Sequence, residues 1–107
     1  MVQVERDNEG YLVDPSQWTE EIAKEIAREE NIEMDDHHWL IVRFIREYYE
    51  NNQSVAETRT LLKHLKSRLG SEQSTRRYLY ALFPYGYGQQ ACKIAGMRKP
   101  LKLMLDV

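Results

Sequence analysis

The spacing of the apolar residues constrains the fold most strongly, because over much of the chain these residues recur with the period of an α-helix. Trp18, Ile22 and Ile26 recur every four residues, which places their side chains on one face of a helix. We expect this helix to span residues 14–30. The same rhythm returns in later segments and predicts a mainly α fold. The residues expected in one core are Trp39, Ile41, Ile45, Leu62, Leu65, Tyr78 and Leu82.

Start and stop signals divide this pattern into about five helices. Asp14 followed by Pro15 favours a helix start, since the carboxylate can accept a free backbone N–H and proline suits the first helical position. Ser54 and Glu57 have the spacing of a capping box. The remaining signals are a start at Asp35 or Asp36, an end at Gly70, a fourth helix over residues 74–83 that Pro84 ends, and a short last helix over residues 91–95 that Gly96 ends.

Neither end of the chain has the apolar period that predicts helices in the middle. Residues 2–4 and 11–13 flank the turn-forming residues 8–10, so a small N-terminal β-hairpin is expected. The 107 residues fit one domain. We therefore expect a single domain over residues 1–107, with the hairpin in 1–13, a compact orthogonal bundle of helices in 14–96 and a C-terminal arm in 97–107.

Charge is divided unevenly along the sequence. Residues 1–53 carry 14 acidic against five Lys and Arg residues, whereas residues 54–107 carry three against ten. A basic half favours an acidic partner or nucleic acid, and mutual attraction between the two halves explains the division equally well. The third and fourth helices with their short connection form a helix-turn-helix-like element, in which Arg76 and Arg77 begin the second helix.

Membrane, metal and cofactor functions are not expected from this sequence. No run approaches the about 18 apolar residues that a membrane span needs. The opening is acidic and polar, unlike a signal peptide, so we expect a cytoplasmic protein. His37 and His38 are adjacent, and neighbouring helix positions point in different directions, so they cannot share a metal ion. His38 is instead expected to make a polar contact at the helix start.

Several ordered blocks of the sequence have a recognisable pattern, namely DNEGYL at residues 7–12, DPSQW at 14–18, HWLIVRFIREYY at 38–49, RYLYALFP at 77–84 and QACKIAGMRKP at 90–100. Together these blocks resemble the DsrC/TusE family of sulfur-relay proteins, which includes the gamma subunit of dissimilatory sulfite reductase. Tyr87 and Arg98 depart from the family, which usually has proline at the first position and often at the second.

The resemblance implies a sulfur-carrying cysteine on the C-terminal arm, and in some members a second cysteine eleven residues earlier. Cys92 matches the earlier position. Eleven residues further on stands Leu103, and the penultimate residue of the sequence is Asp106, so neither alignment supplies the arm cysteine. The chain resembles the family while lacking that group.

Two interpretations of Cys92, the only cysteine, stay open. Lys93, Arg98 and Lys99 are close in sequence, and positive charge lowers a thiol pKa, which makes a persulfide on Cys92 chemically reasonable. Free cysteines are also among the most buried side chains, and the apolar neighbours of Cys92 favour a small core residue.

The resemblance implies a sulfur-relay accessory protein that docks on other proteins. It is not expected to be an enzyme with its own substrate pocket, and at most a sulfur carrier or sulfurtransferase component. The expected partners are a sulfur-donating relay protein, a siroheme sulfite reductase or a tRNA-thiolating enzyme. The alternative is a regulatory or nucleic-acid-binding relative that lost carrier chemistry. Cys92 is the candidate sulfur acceptor, and the docking candidates are Arg76, Arg77, Lys93, Arg98, Lys99 and Lys102.

Overall fold

A computed structural model describes residues 4–98, which form five α-helices joined by short connections. None of these helices is both long and apolar enough to cross a membrane. The compact, mainly α architecture predicted from the periodicity is confirmed. The helices are α1 (Glu20–Glu29), α2 (Asp36–Asn52), α3 (Thr58–Leu69), α4 (Arg76–Leu82) and α5 (Cys92–Ile94), with 3-10 turns at Pro15–Gln17 and Ser71–Gln73 and a π-helical turn at Tyr87–Ala91.

The predicted core forms as one cluster. Ile41, Ile45 and Leu65 are fully buried, and Leu82 is nearly so. The other three members pack against the same cluster while half-buried, namely Trp39, Leu62 and Tyr78. The helical spacing therefore identified residues that meet in space although they come from three different helices.

The first helix begins later than the sequence predicts. Trp18 has an extended backbone, with φ −66° and ψ 140°, and it interrupts the helix expected over residues 14–30. Thr19 then caps α1, since its hydroxyl accepts the backbone N–H of Ile22 at 3.2 Å. The physical reason is that the Trp18 indole N–H donates to the carbonyl of Ile94 at 2.8 Å. A long-range contact thus removes this residue from the helical stripe.

The predicted β-hairpin is wrong. Within residues 4–98 there is no strand, only an isolated antiparallel bridge between Arg6 and Leu12. Side chains close the intervening loop, because the Asp7 carboxylate accepts the backbone N–H groups of Glu9 at 2.9 Å and Tyr11 at 3.0 Å. Residues 2 and 3 of the expected first strand lie outside the described range.

Helix α3 also begins later than expected, so the predicted capping box is wrong. Glu57 occupies the cap position without a side-chain hydrogen bond. The segment before Glu57 packs into the core and does not join the helix, because Ala56 is fully buried and its carbonyl accepts a hydrogen bond from the Tyr87 hydroxyl at 2.6 Å. The predicted end at Gly70 is confirmed, and its φ of 90° explains the glycine.

Helix α2 begins where the sequence predicts, at Asp35 and Asp36. Asp35 caps α2 by accepting the backbone N–H groups of His37 and His38, and the His38 side chain accepts the Asp35 backbone N–H in return. The predicted helix start and polar role of His38 are confirmed.

Met97, placed in the arm by the sequence, is fully buried in the bundle. Residues 99–107 of the predicted arm lie outside the described residues.

Candidate functional site

The candidate sulfur acceptor lies inside the protein. Cys92 begins α5, directly after the π-helical turn Tyr87–Ala91, and its exposed fraction is 0%. Helix α5 packs against α1 and α2. The thiol is therefore part of the hydrophobic core, together with Ala91 and Ile94 on either side of it.

Trp18 and Arg46 hold α5 in place. The Arg46 guanidinium donates to the carbonyl oxygens of Pro15 at 2.9 Å and Ala95 at 3.3 Å, and its centre lies 4.8 Å from the Trp18 ring centroid. Gly96 has a φ of 78°, and a Cβ added there would lie 2.4 Å from Trp18 Cδ1. The residues that surround Cys92 in sequence are thus fixed by packing.

The local chemistry keeps Cys92 protonated. Burial raises the pKa of the Cys92 thiol to about 12, while the Tyr87 hydroxyl acts in the opposite direction. The Tyr87 hydroxyl has one proton and donates it to the carbonyl of Ala56, so it would have to give up that bond to stabilise a thiolate. This outcome is opposite to the lowering of the pKa expected from the basic neighbours, because desolvation dominates.

Lys93 forms an ion pair with a carboxylate that follows the end of α1. Its Nζ lies 3.2 Å from Glu30 Oε2, and it also lies 5.6 Å from the centroid of the Tyr11 ring. Glu30 is held on its other oxygen by the buried Gln90, whose Nε2 donates to Oε1 at 3.3 Å. The carboxylate of Glu30 therefore neutralises the cation that the sequence placed nearest to Cys92.

The remaining docking candidates are distributed over different elements. Arg76 and Arg77 are exposed at the start of α4, and Arg98 is exposed after α5. Lys99 and Lys102 lie outside the described residues. Helix α3, the turn Ser71–Gln73 and α4 follow in the order that a helix-turn-helix-like element requires. A docking role for these basic residues stays a prediction.

Sequence reasoning missed two exposed tyrosines and a cavity beside them. Tyr80 and Tyr85 are the large hydrophobic side chains that remain exposed in the part of the chain described here. A signal existed for Tyr80, because it lies off the apolar stripe that Leu79 and Leu82 form on α4. No group of three or more His, Cys, Asp or Glu side chains among residues 4–98 is placed to hold a metal ion.

Comparison with known proteins gives matches over nearly the whole chain. The model of a family described as "DsrC like protein" matches residues 1–104. Sulfurtransferase TusE of Escherichia coli (strain K12) is 44% identical over 100 residues, which cover 94% of this chain and 92% of that relative. The residues matched by the family model include every block from which the sequence resemblance was inferred.

Solved structures give the same result for the fold. The NMR structure of Allochromatium vinosum DsrC has a TM-score of 0.84 and 42% identity, covering 94% of this chain and 89% of that chain. The crystal structure of the oxidized gamma subunit of dissimilatory sulfite reductase (DsrC) from Archaeoglobus fulgidus has a TM-score of 0.83 and 34% identity, covering 91% and 89%. The relatives support a sulfur-relay accessory role and do not favour the nucleic-acid-binding alternative.

Proposed function

The chain belongs to the DsrC-like family, and from that premise we propose that it serves sulfur relay by docking on the proteins that transfer sulfur. One observation carries this proposal. The only thiol of the sequence, Cys92, has no exposed surface. A relay component whose thiol is enclosed contributes through its surface, while the sulfur moves on its partners.

Persulfide chemistry explains why the burial of Cys92 matters. Transfer begins when a thiolate attacks the outer sulfur of a donor persulfide, so that a new S–S bond forms and the donor leaves as a thiolate. With the pKa of Cys92 raised to about 12, about one molecule in 10⁵ is ionised at pH 7. The attack also needs an open path to the sulfur. Cys92 accepts sulfur only if α5 is first displaced.

The proposed partners are those whose chemistry the relatives name or imply. TusE is a sulfurtransferase, and the Archaeoglobus fulgidus relative is a subunit of dissimilatory sulfite reductase. We propose a sulfur-donating relay protein, a siroheme sulfite reductase or a tRNA-thiolating enzyme as the partner of this chain. The exposed Arg76, Arg77 and Arg98 are candidates for contacts with acidic partner surfaces.

Binding measurements with a matched cysteine variant test this proposal. Wild type and Cys92→Ser are titrated calorimetrically with one purified member of each partner class. We expect at least one complex, with the same dissociation constant for both chains, because the thiol lies in the core and serine nearly conserves its volume. If no partner class binds, or if Cys92→Ser abolishes binding in a protein that remains folded by circular dichroism, docking independent of the thiol is wrong.

A further inference from the structure

A cavity opens between the segment that connects α1 with α2 and the end of α4. Its volume is about 460 Å³, in the range of cavities that take small ligands. Ile32, Leu82 and Pro84 contribute apolar wall, and the buried His38 and Gln90 also line the cavity. The charged lining consists of carboxylates without any Lys or Arg among the residues described.

Two carboxylates line this cavity, Glu30 and Glu33, and they differ in their availability to a ligand. Glu30 already pairs with Lys93 and accepts from Gln90, and its side chain is only 21% exposed. Glu33 is exposed, and no ion pair to it forms within residues 4–98. A cation that enters the cavity therefore finds Glu33 as its partner.

Exposed aromatic rings stand beside the cavity. Tyr85 lines it with 72% of its surface exposed, and Tyr80 is 49% exposed. The two belong to one surface, because a Cβ built on Gly86 would lie 3.6 Å from Tyr80 Cε1. The backbone N–H of Tyr85 donates to the buried Gln90 side chain at 2.8 Å, so the base of this residue is fixed. Exposed tyrosines on a fixed backbone are typical of interface anchors.

We infer that this cavity and the two tyrosines form a docking surface for a protein partner that presents an arginine flanked by apolar residues. The inference rests on the proposed docking function and assigns it a location. The partner's guanidinium stacks on Tyr85 and pairs with Glu33, since Arg combines planar stacking with donors that match a carboxylate. Its methylene stem packs along Ile32 and Pro84.

The first test uses a small probe that requires no partner. The ¹⁵N-labelled protein is titrated with N-acetyl-arginine methylamide and, as the matched neutral probe, with N-acetyl-citrulline methylamide. We expect shift changes at Ile32, Tyr85 and the Gln90 side-chain amide with the arginine probe alone. Glu33→Gln should weaken binding about three-fold or more, while Glu47→Gln, which removes an exposed carboxylate at another cavity, should leave binding unchanged. Equal binding of citrulline, or no change at the cavity, overturns the inference.

The second test separates the docking surface from the proposed function. Any relay partner that binds wild type is titrated against Tyr85→Ala, Glu33→Lys and the control Glu47→Lys. Tyr85→Ala should weaken the complex about ten-fold or more, as loss of an interface anchor does, and the control should bind like wild type. Unchanged binding of Tyr85→Ala contradicts the inference and leaves the proposed function intact.

Two other outcomes are equally decisive. If no relay partner binds wild type, the proposed function fails, and the arginine titration alone decides whether the cavity takes a guanidinium. If wild type self-associates in sedimentation velocity and Tyr85→Ala is monomeric, the occupant is a second copy of this chain and the inferred partner is wrong.

Discussion

Gly96→Ala is the substitution whose cost follows most directly from the structure. An alanine there must keep a φ of 78°, and its Cβ would lie 2.4 Å from Cδ1 and 2.8 Å from Cγ of Trp18. Holding a non-glycine residue at such a φ costs about 1–2 kcal/mol. Overpacking against a fixed ring adds about 1–3 kcal/mol. We therefore expect a total loss of about 2–5 kcal/mol of unfolding free energy.

Two comparisons isolate the contribution of Trp18. Gly70 has a φ of 90°, but an added Cβ meets no atom within 4 Å, so Gly70→Ala reports backbone strain alone. In a Trp18→Leu background, the cost of Gly96→Ala should fall by about 1–3 kcal/mol, which is the coupling expected of residues in contact. Urea denaturation followed by far-UV circular dichroism measures all of these variants. The absence of coupling between Trp18 and Gly96 would refute the packing that holds α5.

Three further predictions concern the core, the thiol and the ion pair beside it. Leu65→Ala should cost about 2–5 kcal/mol of unfolding free energy and the half-buried Leu62→Ala less; a Leu65 loss under about 1 kcal/mol would place it outside the core. The pKa of Cys92 is raised to about 12 in the folded protein against about 8.5 unfolded, so the unfolded chain loses this proton first and stability falls as pH rises. Urea titrations should show that wild type loses about 2 kcal/mol of unfolding free energy relative to Cys92→Ala between about pH 8 and about pH 10. If the unfolding free energies of the two chains change in parallel with pH, the burial of the thiol is contradicted. Lys93→Met should cost up to about 1 kcal/mol of unfolding free energy in the same assay. Adding Glu30→Gln to that variant should cost little more, because the ion pair is already broken. If the costs of the two substitutions are additive, Lys93 and Glu30 do not interact.

The apolar periodicity predicted the helices well where local and tertiary preferences agree. The stripe of Ile41 and Ile45 in α2 and that of Leu61 and Leu65 in α3 both face the core, and Gly70 ends α3 as expected. These features depend on spacing and on backbone conformation, which a sequence displays directly.

The predictions failed where a distant residue competes for a local group. Trp18 fits the stripe of α1, but its indole bonds to Ile94 instead. The segment before α3 has the residue pattern of a capping box, yet the carbonyl of Ala56 accepts a hydrogen bond from Tyr87. Local patterns carry no information about such partners 31 or more residues away.

The candidate site was predicted in part for the same reason. Cys92 and its block were identified from the sequence, whereas the direction of its pKa shift was not, because desolvation depends on every element packed around it. Lys93 was expected to place its charge beside the thiol, but it forms an ion pair with Glu30 at the end of α1. The cavity at Glu33 could not be predicted, since its walls come from segments about 50 residues apart in sequence.

The most direct measurement is the intact mass of the native protein after incubation with glutathione persulfide at neutral pH. Wild type is compared with Cys92→Ser, and a parallel sample in guanidinium shows that the thiol reacts once it is exposed. The expected result is no gain of a sulfur atom by folded wild type over the time in which the unfolded sample is fully modified. Rapid, stoichiometric gain of one sulfur atom at Cys92 in the folded protein would contradict a docking role with an enclosed thiol and make the chain itself a carrier.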